Sequence, residues 1–131
     1  CDVLGLDYFN VKVDARLLEI DVGDWSDRPY ADIFQEIGPF VDGKQRLFTK
    51  RPPGGEWYDD VAKRMQSWLS DFENDRPSLV VTHGMAGRVL RGEALNTGEI
   101  AADAPQGTIF HIAKGREQIL TPRHVGAMTT A

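Results

Sequence analysis

The run Leu79-Val80-Val81-Thr82-His83-Gly84 constrains the fold more than any other stretch of the chain. Leu79-Val80-Val81 is short, apolar and β-branched, the pattern of a buried parallel strand. Helical spacing begins near Met85, with Val89, Leu90 and Leu95 apolar. The expectation is strand, tight turn, helix. In open α/β sheets, ligands bind beyond the carboxyl ends of the strands, and His83 stands at that point. The first N–H groups of a helix have no partner within it and attract anions. An imidazole placed there donates a charge-assisted hydrogen bond to the same anion, and Gly84 removes the Cβ that would hold the anion away. Taken locally, His83 also reads as a residue that fills a turn and caps a strand.

The remaining elements fit one α/β domain over residues 1–131. Val11-Lys12-Val13 alternates and is β-branched, so it is a candidate strand. Asp14 to Asp24 reads as a loop. Pro29 suits the first turn of a short helix through Ile37, and Gly38-Pro39 stops it. Residues 40–51 show no clear period. Pro52-Pro53-Gly54-Gly55 is a rigid-then-flexible loop. Tyr58, Val61, Ala62, Met65, Trp68, Leu69 and Phe72 then recur at spacings of three and four, the apolar stripe of the best helix in the chain. Asp59, Asp60, Lys63, Arg64 and Asp71 fall elsewhere on its wheel, and Glu56 is placed to cap it. Such a stripe packs a core rather than lining a ligand groove. Thr108 to Ala113 alternates as a strand, and Gln118-Ile119-Leu120 can pair with it across a Lys114-Gly115-Arg116 turn. The tail from Pro122 to Ala131 is small and polar and reads as frayed. This order implies a mostly parallel sheet with helices on both faces.

Charge and cysteine usage narrow the function classes. The net charge of −5 and pI near 5.1 argue against a nucleic-acid surface, although a few local donors still suffice for an anionic substrate. No apolar run reaches membrane-spanning length, and no signal-peptide pattern is present. The single cysteine, Cys1, excludes an internal disulfide framework and makes a reducing cytoplasm the default location. His83, His111 and His124 stand far apart, without partners at zinc-ligand spacing.

An ordered set of motifs sharpens the reading. Arg16-Leu17-Leu18-Glu19, Gly23-Asp24-Trp25, Pro53-Gly54-Gly55-Glu56, Leu79 to Gly84 with Arg88 and Leu90, and Pro105-Gln106-Gly107-Thr108 follow one another along the chain. In order and approximate spacing the chain resembles the histidine phosphatase superfamily, also called phosphoglycerate-mutase-like, from Asp14 to about Phe110. The resemblance implies that Glu19, in R-L-x-E, is the general acid toward the leaving oxygen. A carboxyl beside a bound phosphate is biased toward its proton-donating form by like charge. It also implies that His83 holds the phosphoryl oxygens and stabilises charge in transfer. Backbone N–H groups of Gly84 and Met85 would assist, and Gln106 would touch substrate or orient His83. Trp25 would pack beneath the loop leading to the short helix. Arg88 would bind a carboxylate ligand or form an ion pair at the core edge.

Three departures from the family pattern stand out. Where W-x-G is common, Trp25 is followed by Ser26 and Asp27. Trp57 replaces a small hydroxyl residue after P-G-G-E, which would either narrow the substrate entrance or pack away from it. The signature R-H-G, whose histidine becomes phosphorylated, is not found, nor is the S-P-L-x-R-A-x-Q-T helix that carries a further phosphate-binding arginine.

Cys1 to Leu6 reads like the end of a helix closed by Gly5. The expectation is therefore a carboxyl-terminal portion of a domain, incomplete and inactive by itself. An upstream segment or a partner would cover its exposed sheet. The resemblance implies hydrolysis of a phosphorylated small molecule through a phosphohistidine, with no metal or organic cofactor. Mutase chemistry is the nearest alternative, although mutases usually carry a longer insertion between the acid and second-histidine motifs. A non-catalytic anion-binding or partner-docking fragment is the alternative of a different class. A serine hydrolase would need a G-x-S-x-G elbow, which is not present. Nothing in these residues names the substrate.

Overall fold

A computed structural model describes residue 5 and residues 7–38 and 48–121 of the chain. The helix end expected over residues 1–4, most of the stretch without period and the tail from residue 122 lie outside the described residues, as does Pro39. Three helices and one hairpin make up the regular structure: α1 (Tyr30–Ile37), α2 (Tyr58–Asp71), α3 (Gly84–Ala94), β1 (Ile109–Ala113) and β2 (Arg116–Leu120). None of these helices is long and apolar enough to cross a membrane.

The stripe of α2 does what its period predicts. Tyr58, Val61 and Met65 are buried, and they pack with Met85, Ala86, Val89 and Leu90 of α3 and with Ile20 from the preceding loop. Each fully buried aliphatic side chain of this kind contributes about 1.5–3 kcal/mol, so the α2–α3 pair is the principal core. The N-cap of this helix is Trp57, whose N–H donates to the Asp60 side chain at 2.8 Å. Asp60, not Glu56, therefore satisfies the cap. A second cluster holds Trp25, Ile33 and Phe48, with Trp25 tilted against Phe48 at a centroid distance of 5.0 Å. Trp57 packs against both clusters and sits edge-on to Tyr58. The bulky residue after P-G-G-E thus joins two cores and does not project freely into solvent.

Pro29 takes the N-cap of α1, one position ahead of the first turn, and Gly38 ends the helix at φ 86°. In the hairpin, Ile109 faces Leu120 and Ala113 faces Arg116, which leaves Lys114 and Gly115 as a two-residue turn. Both have positive φ, 52° and 70°, as the turn matching right-handed strand twist requires. Arg91 of α3 anchors this hairpin. It makes two bonds to Glu117, at 2.6 and 2.7 Å, and its guanidinium lies 3.6 Å from the centroid of the Phe110 ring.

The parallel sheet expected from the sequence does not form among the described residues, whose one sheet is the antiparallel β1–β2 pair. Residues 11–13 and 79–81 take no helix or strand assignment, and no main-chain hydrogen bond joins either segment to a described residue. Val80 rests on the α2–α3 core, but Leu79 is 63% exposed, Val81 81% and Val13 93%. A β-branched run favours extended backbone, but a strand also needs a neighbouring backbone to receive its N–H and C=O groups. The described residues supply none here.

Acid should loosen this structure in a definite direction. The Arg91 fork holds Glu117 below the usual glutamate range, and Arg16 does the same for Asp14. A carboxylate depressed in the folded state stabilises fully above its unfolded value and loses that contribution as pH falls through its folded value. Thermal melts should therefore be flat from neutrality to about pH 5 and fall steadily below about pH 4. Glu117→Gln should remove part of that slope. An unchanged slope would mean that the Arg91–Glu117 pair contributes nothing to folding.

Candidate functional site

Two loops are strapped together to build the site. Gly23 has φ 51°, and a Cβ there would lie 2.3 Å from the Pro53 carbonyl oxygen. At Gly55 a Cβ would lie 2.5 Å from the Asp21 carbonyl oxygen. Only glycine lets these backbones approach so closely. The gap is closed by Asp24 N–H donating to Pro53 C=O at 2.9 Å and Glu56 N–H donating to Asp21 C=O at 2.8 Å. The G-D-W and P-G-G-E motifs are thus two halves of one joint. Trp25 is buried beneath it. Asp27, at the position where W-x-G has glycine, takes a left-handed φ of 61°. Aspartate tolerates that conformation better than most residues, so the turn survives the missing glycine.

Next to the joint lies the R-L-x-E loop. Arg16 pairs with Asp14 at 2.7 Å and reaches α2 through Asp71 at 2.7 Å and Ser67 at 3.0 Å. Ile20 is buried against α2 and α3. Glu19, immediately before Ile20, is turned toward the start of α3. Its Oε2 accepts from Met85 N–H at 3.1 Å, and its Oε1 accepts from Ala86 N–H at 2.8 Å and from Ile20 N–H at 2.9 Å. Thr82 closes the same junction by donating its hydroxyl to Leu17 C=O at 2.7 Å. Residues more than sixty positions apart in sequence meet here, and a carboxylate at a helix N-terminus meets the positive end of its dipole.

His83 is the N-cap of α3, exposed, with an imidazole that bonds to no described residue. Gly84 follows it. Its N–H donates to no described residue, and a Cβ built on it would lie 3.7 Å from Glu19 Oε2. The structure thus brings Glu19, His83, Gly84 and Met85 together. It commits Met85 N–H to Glu19, and it leaves Gly84 N–H and the imidazole open. Gln106 sits in an exposed turn before β1, and no hydrogen bond joins it to this cluster among the described residues. Arg88 donates to Ala101 C=O at 2.9 Å and so ties down the loop after α3.

Sequence reasoning missed Arg64. It places its guanidinium under the R-L-x-E loop, bonding the carbonyls of Arg16, Leu18 and Glu19 and pairing with Glu56. The signal was in the spacing. Arg64 lies three residues after Val61 and four before Trp68, hence beside the buried stripe. Ser67 and Asp71 continue that edge toward Arg16. Among the described residues no cluster of three or more His, Cys, Asp or Glu side chains could hold a metal ion.

As chemistry, the arrangement offers an open imidazole and an open helix N–H facing solvent, beside a carboxyl group fixed on two further N–H donors. Such a set can receive an anion and exchange a proton next to it. The family model described as histidine phosphatase superfamily (branch 1) matches residues 3–119. No solved structure matches the chain.

Proposed function

The chain belongs to the histidine phosphatase superfamily, and from that premise we propose that its Glu19 and His83 supply the acid and the second histidine of a phosphomonoesterase. Phosphoryl-transfer chemistry is the common ground of this superfamily. The observation that carries the finer reading is the junction at the start of α3, where Glu19 is held beside the imidazole of His83 and a Gly84 N–H that bond to no described residue.

The steps follow from these positions. In this reading the nucleophile is a histidine of an R-H-G segment, a motif the 131 residues do not contain, and it attacks phosphorus while the bond to the ester oxygen breaks. His83 and Gly84 N–H hold the phosphoryl oxygens as charge moves onto them. Glu19 gives its proton to the departing oxygen, and the N–H groups of Met85 and Ala86 stabilise the carboxylate left behind. Water then attacks the phosphohistidine, returning a proton to Glu19 and releasing phosphate. A phosphate that used Met85 N–H as well would have to displace Glu19 from it. No step calls for a metal or organic cofactor. Segments 11–13 and 79–81, whose main chains bond to no described residue, leave room for a further strand beside them, as the proposed parallel sheet requires. One cysteine in 131 residues suits a reducing cytoplasm.

The test is made on the protein carrying the R-H-G segment. It should hydrolyse phosphomonoesters across a broad panel and, when quenched with labelled substrate, retain acid-labile, alkali-stable label on histidine. The 131-residue chain should do neither. Absence of both hydrolysis and label in the complete protein would sink the reading. Equal transfer to a second substrate hydroxyl and to water would turn it into a mutase.

A further inference from the structure

Arg64 makes five side-chain hydrogen bonds, none of them to His83 or to the carboxyl group of Glu19. Its Nε donates to Glu56 Oε1 at 2.8 Å, Nη1 to the carbonyls of Arg16 and Leu18 at 2.5 and 2.8 Å, and Nη2 to Glu19 C=O and Glu56 Oε2 at 3.2 and 3.0 Å. These bonds use all five N–H groups of a guanidinium. Glu56, which neutralises it, also accepts from Asp21 N–H at 3.0 Å and donates its own N–H to Asp21 C=O at 2.8 Å. The backbone is therefore gripped on both sides of Glu19. Ile20 in the core and the rigid α2 underneath complete the grip.

We infer that Arg64, braced by Glu56, is a positioning residue for the Glu19 carboxyl group. This rests on the reading of Glu19 as the general acid. Proton transfer to a leaving oxygen demands placement to within a fraction of an ångström, and Glu19 itself sits on an exposed loop without regular structure. Side-chain bonds to Met85 and Ala86 fix only its far end. The fork fixes its near end. Lysine cannot replace it, since an ammonium has three donors and no planar geometry.

The proposal separates from a merely structural role by leaving-group dependence. An acid matters when the departing alkoxide is a poor leaving group and matters little when it is p-nitrophenolate. In the complete enzyme, Arg64→Lys should lower kcat on an alkyl phosphomonoester by about tenfold or more, with KM nearly unchanged and a much smaller loss on p-nitrophenyl phosphate. In a Glu19→Gln background it should add almost nothing. Equal losses on both substrates, adding fully to Glu19→Gln, would overturn the inference. A second readout needs no catalysis. In the 131-residue chain, Arg64→Lys or the milder Glu56→Gln should move the Met85 and Ala86 amide resonances toward their positions in Glu19→Ala. Resonances that stay put in both variants would overturn it. A complete enzyme without activity, but with moved resonances, would instead sink the catalytic reading and keep the positioning.

Discussion

Glu19→Gln is expected to lower kcat on alkyl phosphomonoesters by about 10²–10⁴-fold, the ordinary worth of a positioned general acid. The substitution keeps the size of the side chain and removes the proton it would deliver. Oε1, which accepts from Ala86 N–H and Ile20 N–H, can remain an acceptor in the amide. The other end would set an NH₂ group against Met85 N–H, which now bonds Oε2 at 3.1 Å. The start of α3 then loses one cap bond, worth about 1 kcal/mol. That is small beside the 3–5 kcal/mol of barrier implied by a rate loss of about 10²–10⁴-fold. Stability and rate therefore separate cleanly in this variant. With p-nitrophenyl phosphate most of the rate should survive, because that leaving group departs without protonation. Steady-state kinetics on the two substrates, with a thermal melt of each protein, checks all three statements. An alkyl rate within a few-fold of the parent would remove Glu19 from the chemistry.

How Glu19 is held was not legible in the sequence, although the R-L-x-E motif does single out Glu19 as the proposed acid. Helices α2 and α3 follow from spacings of three and four that any wheel displays, and the β1–β2 turn follows from Lys114-Gly115 between alternating residues. These are local rules. The grip on Glu19 is not local: Arg64 reaches main-chain carbonyls nearly fifty positions earlier in the chain, and carbonyl groups leave no trace in sequence. Glycine spacing gave no warning that Gly23 and Gly55 face each other's loops, since each explains only its own turn until the two are seen packed. Leu79-Val80-Val81 shows the opposite limit. Its composition favours an extended, apolar segment, but whether that segment becomes a strand depends on a neighbour that composition does not encode. Met85 is a further case. The pattern predicts a free N–H at this helix start, and in the structure the carboxylate of Glu19 accepts from it.

His83→Ala should separate function from folding even more sharply. The imidazole bonds to no described residue, is exposed, and belongs to neither buried cluster. The junction is held instead by Glu19, by the Thr82 hydroxyl and by the Gly87 N–H, which donates to the His83 carbonyl and does not depend on the side chain. Truncation should therefore change stability by no more than about 0.5 kcal/mol. His83→Asn should even raise it by about 1 kcal/mol, since asparagine is a strong N-cap and the imidazole makes no cap bond. Against this, removing one oriented donor from a phosphoryl-transfer site costs about 10²–10³ in rate. Both variants of the complete protein should thus melt at or above the parent temperature and lose that much kcat/KM on every phosphomonoester, whatever its leaving group. The contrast with Glu19→Gln is the useful part, because a donor to the phosphoryl oxygens serves all esters alike while an acid serves only the reluctant ones. A His83→Ala protein with parental rates would make His83 a turn residue only. Uniform loss accompanied by a lowered melting temperature would trace the defect to the fold.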